Sequence, residues 1–240
     1  MSARAAAAAD VRFVAHDDID AWATASATAL ADALRHDLRQ RPRSRLLLSG
    51  GRTPAPAYAA LAKASLDWSR VDIALVDERW LQPDDPDSNA RLIRETLLHD
   101  NAAAARFESL TRAGRNIADA VAAANLMARQ PAAVITLGMG DDGHTASLFP
   151  GMRGFDAALA SGNAYVAVDA SGCEGAGQWR RRISLTPAGL ATAQARVLLI
   201  RGASKRALFE RAMTGDDVRQ LPIRFAFTTP GAALQVHWCA

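Results

Sequence analysis

The sequence predicts an α/β protein: a doubly wound, largely parallel sheet with helices on both faces, built as a single domain over residues 1–240. Three observations carry that prediction. Short apolar runs alternate along the chain with helical repeats, which is the order of elements in a sheet covered by helices. The runs at 46–48, 71–76, 133–137 and 197–200 are nearly continuous in apolar residues, as strands buried on both faces require. No internal repeat or low-complexity linker divides the chain, whose 240 residues suit one α/β domain.

The elements follow in order. Residues 11–15 read as a short strand. Ile19, Trp22, Ser26, Leu30, Leu34 and Leu38 then recur at three- and four-residue steps, one face of a long helix. Asp17 or Asp18 can cap its start. Residues 46–48 form a strand ending at Ser49-Gly50-Gly51. Pro54 opens a helix to about Lys63, because its missing N–H would be unpaired at a first helical position anyway. Residues 71–76 form a strand followed by a loop, 88–98 a helix, 116–129 another helix, and 133–137 a strand ending at Gly138. Three more strands are expected near 164–168, 182–185 and 197–200. A helix over 204–213 and an alternating strand over 234–238 close the chain.

Composition narrows the function. Hydrophobic residues at 50% and charged residues at 22% are ordinary for a globular chain. At this length roughly 70–75% of the unfolded surface is buried on folding, so no disulfide or metal staple is needed. The 28 basic and 25 acidic residues leave a formal charge of +3. The pI is 9.3, but the basic residues are scattered, densest at Arg39, Arg41, Arg43 and Arg45. No nucleic-acid partner is expected. Cys173 and Cys239 lie far apart without CxxC or histidine spacing and read as free thiols in a reducing compartment. No apolar stretch of about 18 residues exists to span a membrane. Residues 1–10 lack the apolar core of a signal peptide and read as the frayed N-terminus of a cytoplasmic protein.

Ligands of parallel sheets bind beyond the carboxyl ends of strands, so the informative loops follow Leu48, Val76 and Leu137. In Ser49-Gly50-Gly51-Arg52-Thr53-Pro54 two glycines between strand and helix let the backbone turn tightly and offer N–H groups to an anion such as phosphate. The alternative is a plain βα turn with Thr53 as N-cap. Asp77-Glu78-Arg79-Trp80, with Ser88-Asn89 beyond it, places charge at a strand end, where Arg79 could fork onto a phosphate or carboxylate. The alternative there is a salt-bridged loop.

The third loop, Gly138-Met139-Gly140-Asp141-Asp142-Gly143-His144-Thr145-Ala146-Ser147-Leu148-Phe149-Pro150, matches the dinucleotide fingerprint G-x-G-x-x-G. Two features argue against a dinucleotide. Asp141 and Asp142 would repel a pyrophosphate, and Pro150 with Gly151 stops any following helix after about two turns. Asp169 imitates the ribose acid only roughly. The expected fold is therefore Rossmann-like without dinucleotide binding. His144 sits in this loop at an expected helix start, where the dipole disfavours imidazolium and leaves a neutral base. Asp142 is close enough to orient it; a structural or solvated histidine is the alternative. Lys205, near another helix start, opposes the dipole unless an anion or solvent relieves it. Arg182 is similar, with a solvated cluster beside Arg180 and Arg181 as the alternative. No G-x-S-x-G elbow or Walker A loop occurs. His16, His36, His99 and His237 show no metal-ligand spacing with acids or cysteines, so no metal is expected.

Together these loops resemble the 6-phosphogluconolactonase family. Residues 49–54 are similar to its SGG-x-TP loop, and Asp77-Glu78-Arg79 with Ser88-Asn89 to its DER…SN segment. Gly138 to Pro150 follows its GMG-x-DGHTASLFPG signature almost letter for letter. Arg182-Ile183-Ser184-Leu185-Thr186-Pro187, Gly202 with Lys205, and Leu221-Pro222-Ile223 also fit, in order, over nearly the whole chain. The first motif is shared with glucosamine-6-phosphate deaminases, the runner-up. That family has DEY and GHIAFNEP where this chain has Asp77-Glu78-Arg79 and residues 143–150.

The resemblance implies hydrolysis of 6-phospho-D-glucono-1,5-lactone, a step of the oxidative pentose phosphate pathway, without a cofactor. It implies His144 as general base, oriented by Asp142. It places the sugar-phosphate substrate on Gly50, Gly51, Arg52, Thr53, Asp77, Arg79, Asn89, Arg182 and Lys205. Arg79, Arg182 and Lys205 are the phosphate candidates, and Arg52 stands where the family often has Ser or Thr. A non-enzymatic sugar-phosphate sensor is a further alternative; it would need an added DNA-binding module, for which a pattern starting at residue 11 leaves no room. A monomer is expected, with a dimer as the alternative.

Overall fold

The computed structural model describes residues 10–240. Of the stretch read as frayed, residues 1–9 lie outside the described residues. In chain order the strands are β1 (Val11–His16), β2 (Ser44–Leu48), β3 (Val71–Leu75), β4 (Asp77–Arg79), β5 (Arg106–Glu108), β6 (Val134–Leu137), β7 (Tyr165–Asp169), β8 (Arg181–Leu185), β9 (Arg196–Arg201) and β10 (Leu234–Cys239). The helices are α1 (Ile19–Leu38), α2 (Ala55–Ala62), α3 (Asn89–Thr96), α4 (Ile117–Met127), α5 (Phe155–Leu159), α6 (Pro187–Ala191), α7 (Ala203–Met213) and α8 (Phe225–Thr228).

Seven strands form one sheet in the order β1-β10-β9-β6-β2-β3-β5, and every pairing in it is parallel. Leu46, Leu47 and Leu48 are all buried, which is why β2 reads as an unbroken apolar run. From β2 the chain moves outward to β3 and β5. It then returns to β6 and moves outward on the other side to β9 and β10. The reversal falls between β2 and β6. Loops leaving those two strands diverge there and open a crevice at their carboxyl ends.

Asp18 caps α1, accepting from Ala21 N at 2.7 Å. Trp22, Ser26, Leu30 and Leu34 face the core, each leucine stabilising by roughly 1.5–3 kcal/mol. Trp22 Nε1 donates to His237 O at 3.0 Å and ties the helix to β10. Ile19 does not join that face; it is 41% exposed.

Several expectations need correction. The strand at 71–76 does not run into a loop: Asp77–Arg79 is β4, paired antiparallel with β8. The strands expected at 164–168 and 182–185 are not in the main sheet, because β4, β8 and β7 make a separate antiparallel sheet of three. Val76 is the hinge. Its N–H donates to Leu48 O at 2.9 Å in the first sheet, and its carbonyl accepts from Leu185 N at 2.8 Å in the second. No helix starts at His144; residues 141–154 run as turns and α5 begins only at Phe155, so a helix dipole does not act on the imidazole. Thr53 is not the N-cap of α2. Pro54 holds that position, without a side-chain cap bond.

Candidate active site

A cavity of about 180 Å³ lies at the carboxyl ends of β2, β6 and β9, beside the bend between β3 and β4. The three loops singled out by sequence meet there. Of the expected residues, Gly50, Gly51, Thr53, Asp77, Arg79, Asn89, His144, Arg182 and Lys205 line it. Arg52 does not. The chain turns at Gly51 (φ 88°), and Arg52 is exposed outside the lining. Asp142 stands behind the wall, in contact with His144.

His144 Nδ1 donates to Asp142 Oδ1 at 2.5 Å, and the His144 backbone N–H donates to the same oxygen at 3.0 Å. Partial burial pushes the Asp142 carboxyl up. The hydrogen bond and charge of His144 outweigh that and hold it below its ordinary value. An ionised carboxylate can only accept, so Nδ1 carries a proton toward Asp142 and Nε2 is the ring nitrogen left free of it. Two glycines admit this pair. A Cβ at Gly140 would lie 2.1 Å from His144 Nδ1, and one at Gly175 would lie 2.4 Å from Asp142 Oδ2. Phe149 flanks the imidazole with ring centroids 4.3 Å apart.

The first loop is fixed from below. Ser49 N donates to Thr136 Oγ1 at 2.9 Å, and Tyr58 OH donates to Ser49 O at 2.9 Å. Burial pushes the Tyr58 hydroxyl up to about 12, so it stays a neutral donor. Asn89 closes over the loop: a Cβ at Gly50 would fall 2.0 Å from its Oδ1. Asn89 Nδ2 donates to Asp77 O at 2.9 Å.

Glu78 holds Asn89 in turn. Its carboxyl accepts from the backbone N–H groups of Arg79, Asn89 and Ala90, each at 2.8 Å, at the start of α3. Burial pushes this group up to about 7, against the pull of those three donors.

Asp77 and Arg182 meet through Ser147. Ser147 Oγ donates to Asp77 Oδ2 at 2.5 Å, and Arg182 Nη1 donates to Ser147 Oγ at 3.3 Å. Two further donors of Arg182 reach Trp179 O and Ala176 O, each at 2.7 Å. Its guanidinium carbon lies 5.1 Å from the Phe149 ring. Burial lowers its pKa from the ordinary value. Arg182 therefore braces the loop that carries Gly175 as well as lining the cavity.

Lys205 Nζ donates to Met139 O at 2.7 Å and pairs with Asp141 Oδ1 at 2.8 Å. Arg79 donates to Asp87 O at 2.5 Å. Arg201, missed by sequence reading, also lines the cavity. Its signal was available: it is the last residue of β9, a strand-end cation just before Gly202. Gly175 left no such signal, because only the folded chain brings 170–177 against Asp142. Among the described residues no group of three or more His, Cys, Asp or Glu could hold a metal ion. No helix there is long and apolar enough to cross a membrane.

Residues 17–238 match the family described as glucosamine-6-phosphate isomerases/6-phosphogluconolactonase. A 6-phosphogluconolactonase of Xylella fastidiosa strain Temecula1 is 48% identical over 234 residues, which cover 97% of this chain and 98% of that one. A 6-phosphogluconolactonase of Pseudomonas aeruginosa is 35% identical over 247 residues, covering 97% and 99%. The crystal structure of a 6-phosphogluconolactonase from Shewanella baltica superposes with a TM-score of 0.87 at 32% identity, covering 96% of this chain and 98% of that one.

Proposed function

The chain belongs to the glucosamine-6-phosphate isomerase/6-phosphogluconolactonase family and is a hydrolase of its lactonase branch; on that premise we propose that it opens 6-phospho-D-glucono-1,5-lactone to 6-phosphogluconate with His144 as general base. The 2.5 Å bond from His144 Nδ1 to Asp142 carries the mechanism, because it leaves Nε2 free to take a proton from water. The resulting hydroxide adds to the lactone carbonyl carbon. As the ring C–O bond breaks, the imidazolium returns its proton to the departing ring oxygen. Asp142 orients the ring throughout and stabilises its charged form.

Lys205, Arg79 and Arg201 with the backbone N–H groups of Gly50 and Gly51 support phosphate binding in this cavity. Their charge offsets the −1.5 to −2 that a phosphate ester carries near neutral pH, roughly. Asp77 and Asn89 shape the cavity wall. Three of the five N–H donors of Arg182 are engaged by the protein, so it contributes positive field and support beside the two donors that remain. The chain is read as a monomer, which gel filtration near 25.5 kDa checks. A cytoplasmic location belongs to the same reading.

The test is the decay of freshly generated lactone with and without protein, since the compound also hydrolyses spontaneously. Wild type is expected to exceed the background. His144→Ala is expected to lose about 10²–10⁴-fold in kcat, with KM little changed. No acceleration by wild type, or full turnover by the variant, overturns the reading. Ammonia release from glucosamine 6-phosphate would assign the isomerase branch instead.

A further inference from the structure

Ser147 follows His144 by three residues and takes no part in the hydrolytic steps above. It is fully buried and does not itself line the cavity, but its two partners do. Its Oγ donates to Asp77 Oδ2 at 2.5 Å and accepts from Arg182 Nη1 at 3.3 Å. The backbone fixes that hydroxyl. Ser147 N donates to Ser184 Oγ at 3.0 Å, and Leu148 N donates to Thr145 O at 3.1 Å to close a tight turn around it. Within the turn Ala146 takes φ 49°, the left-handed region that residues other than glycine rarely hold. Strain of this kind persists where the surroundings over-determine the geometry.

Asp77 and Arg182 carry opposite charges and are 7% and 5% exposed. They lie close enough for the charge of Asp77 to oppose the lowering of the Arg182 pKa by burial. Opposite charges attract strongly out of water, and a direct ion pair is the expected outcome. Instead the Ser147 hydroxyl stands between them. The arrangement leaves polar groups over. Asp77 Oδ1 has no hydrogen-bond partner in the protein and is not among the buried atoms sealed from solvent. Arg182 keeps two of its five N–H donors. An acceptor beside donors suits the hydroxyl groups of a sugar lactone, since a hydroxyl both donates and accepts.

We infer that Ser147 is a positioning residue: its hydroxyl holds Asp77 and Arg182 apart, so that both keep polar groups free for the sugar hydroxyls of the substrate. The inference rests on the lactonase reading above. Without that hydroxyl the carboxylate and the guanidinium close on each other, and each uses on its neighbour the group it would offer to substrate. The bonds from Arg182 to Trp179 O and Ala176 O are untouched by the change, so the connection that carries Gly175 against Asp142 stays in place. The loss therefore falls on binding, while His144 keeps its setting.

A double-mutant cycle tests this, with kcat and KM measured for Ser147→Ala, Asp77→Asn and the two combined, and folding checked by thermal melting. Ser147→Ala is expected to raise KM by about 10–100-fold, the range for losing a charge-assisted bond to a ligand. Its kcat should stay within about threefold of wild type. In Asp77→Asn no charge draws the arginine across, so adding Ser147→Ala there should change KM by less than about threefold. Ser147→Cys keeps the side chain in place with a weaker donor, and its KM should fall between those of wild type and Ser147→Ala; it carries the test if the alanine variant does not fold. The inference is overturned by wild-type KM in both Ser147 variants, by a fall in kcat with KM unchanged, or by the same factor in KM with and without the Asp77 charge. Failure of wild type to accelerate lactone decay would instead overturn the lactonase reading, so the two failures are separable.

Discussion

Lys205 stands in the first turn of α7, where a cation opposes the helix dipole, and the chain answers it with Met139 O and Asp141 Oδ1. The two partners differ in grip. Asp141 is 94% exposed, and an exposed ion pair contributes little, so an entering phosphate can displace it. Lys205→Ala removes a charge-assisted bond worth about 1.5–3 kcal/mol. It should raise KM by about 10–100-fold, leave kcat nearly unchanged and weaken inhibition by inorganic phosphate. Unchanged KM together with unchanged phosphate inhibition would rule Lys205 out of the phosphate site. The place of Lys205 at a helix start was readable from spacing, as an electrostatic conflict that an anion or solvent relieves. Arg52 shows where such reading fails: its neighbours line the cavity, but the turn at Gly51 leaves it outside.

At the scale of elements, the connection from β7 to β8 closes the back of the site. Its carbonyls at Ala176 and Trp179 are held by Arg182, and that brings Gly175 against Asp142. Asp142 cannot give way without loosening His144, because its Oδ1 already binds two N–H groups of that residue. Gly175→Ala should therefore lower kcat by about 10–100-fold while KM changes little. Gly162→Ala, where a Cβ meets open space, should change neither. Wild-type kcat in Gly175→Ala would show that the connection does not position the pair. The parallel strands were readable because burial on both faces makes continuous apolar runs. β4 and β5 were not, since each has three residues and charged ends. Periodicity also identified β7 and β8 as strands but could not name their partners. That is why the second sheet, and with it the bend at Val76 that puts Asp77 into the cavity, emerged only from the fold.

Over the whole molecule the formal charge is +3, and three residues of the densest basic run are paired: Arg41 with Asp37, Arg43 with Asp72 and Arg45 with Glu108. Two other buried groups set the response to pH. Burial raises Glu78 from its ordinary 4.5 to about 7, with Asp77 adding to the rise and three backbone donors opposing it. Burial lowers His237 from 6.5 to about 4, helped by the charge of His16 and Arg12. Between pH 4.5 and 7 the folded state keeps a proton on Glu78 that the unfolded chain has released, so stability falls as pH rises. Between pH 4 and 6.5 the unfolded chain binds a proton at His237 that the folded state does not, so stability climbs as pH rises. Each slope is at most about 1.4 kcal/mol per pH unit, and they oppose each other where the windows overlap, from 4.5 to 6.5. Glu78 lies in β4 with its carboxyl at the start of α3, and His237 lies in β10, with no shared partner, so the two effects should add. Urea midpoints of wild type should then vary little across that overlap. In Glu78→Gln the midpoint should climb with pH, and in His237→Asn it should fall. Parallel profiles in all three proteins would mean that neither group titrates as its burial requires.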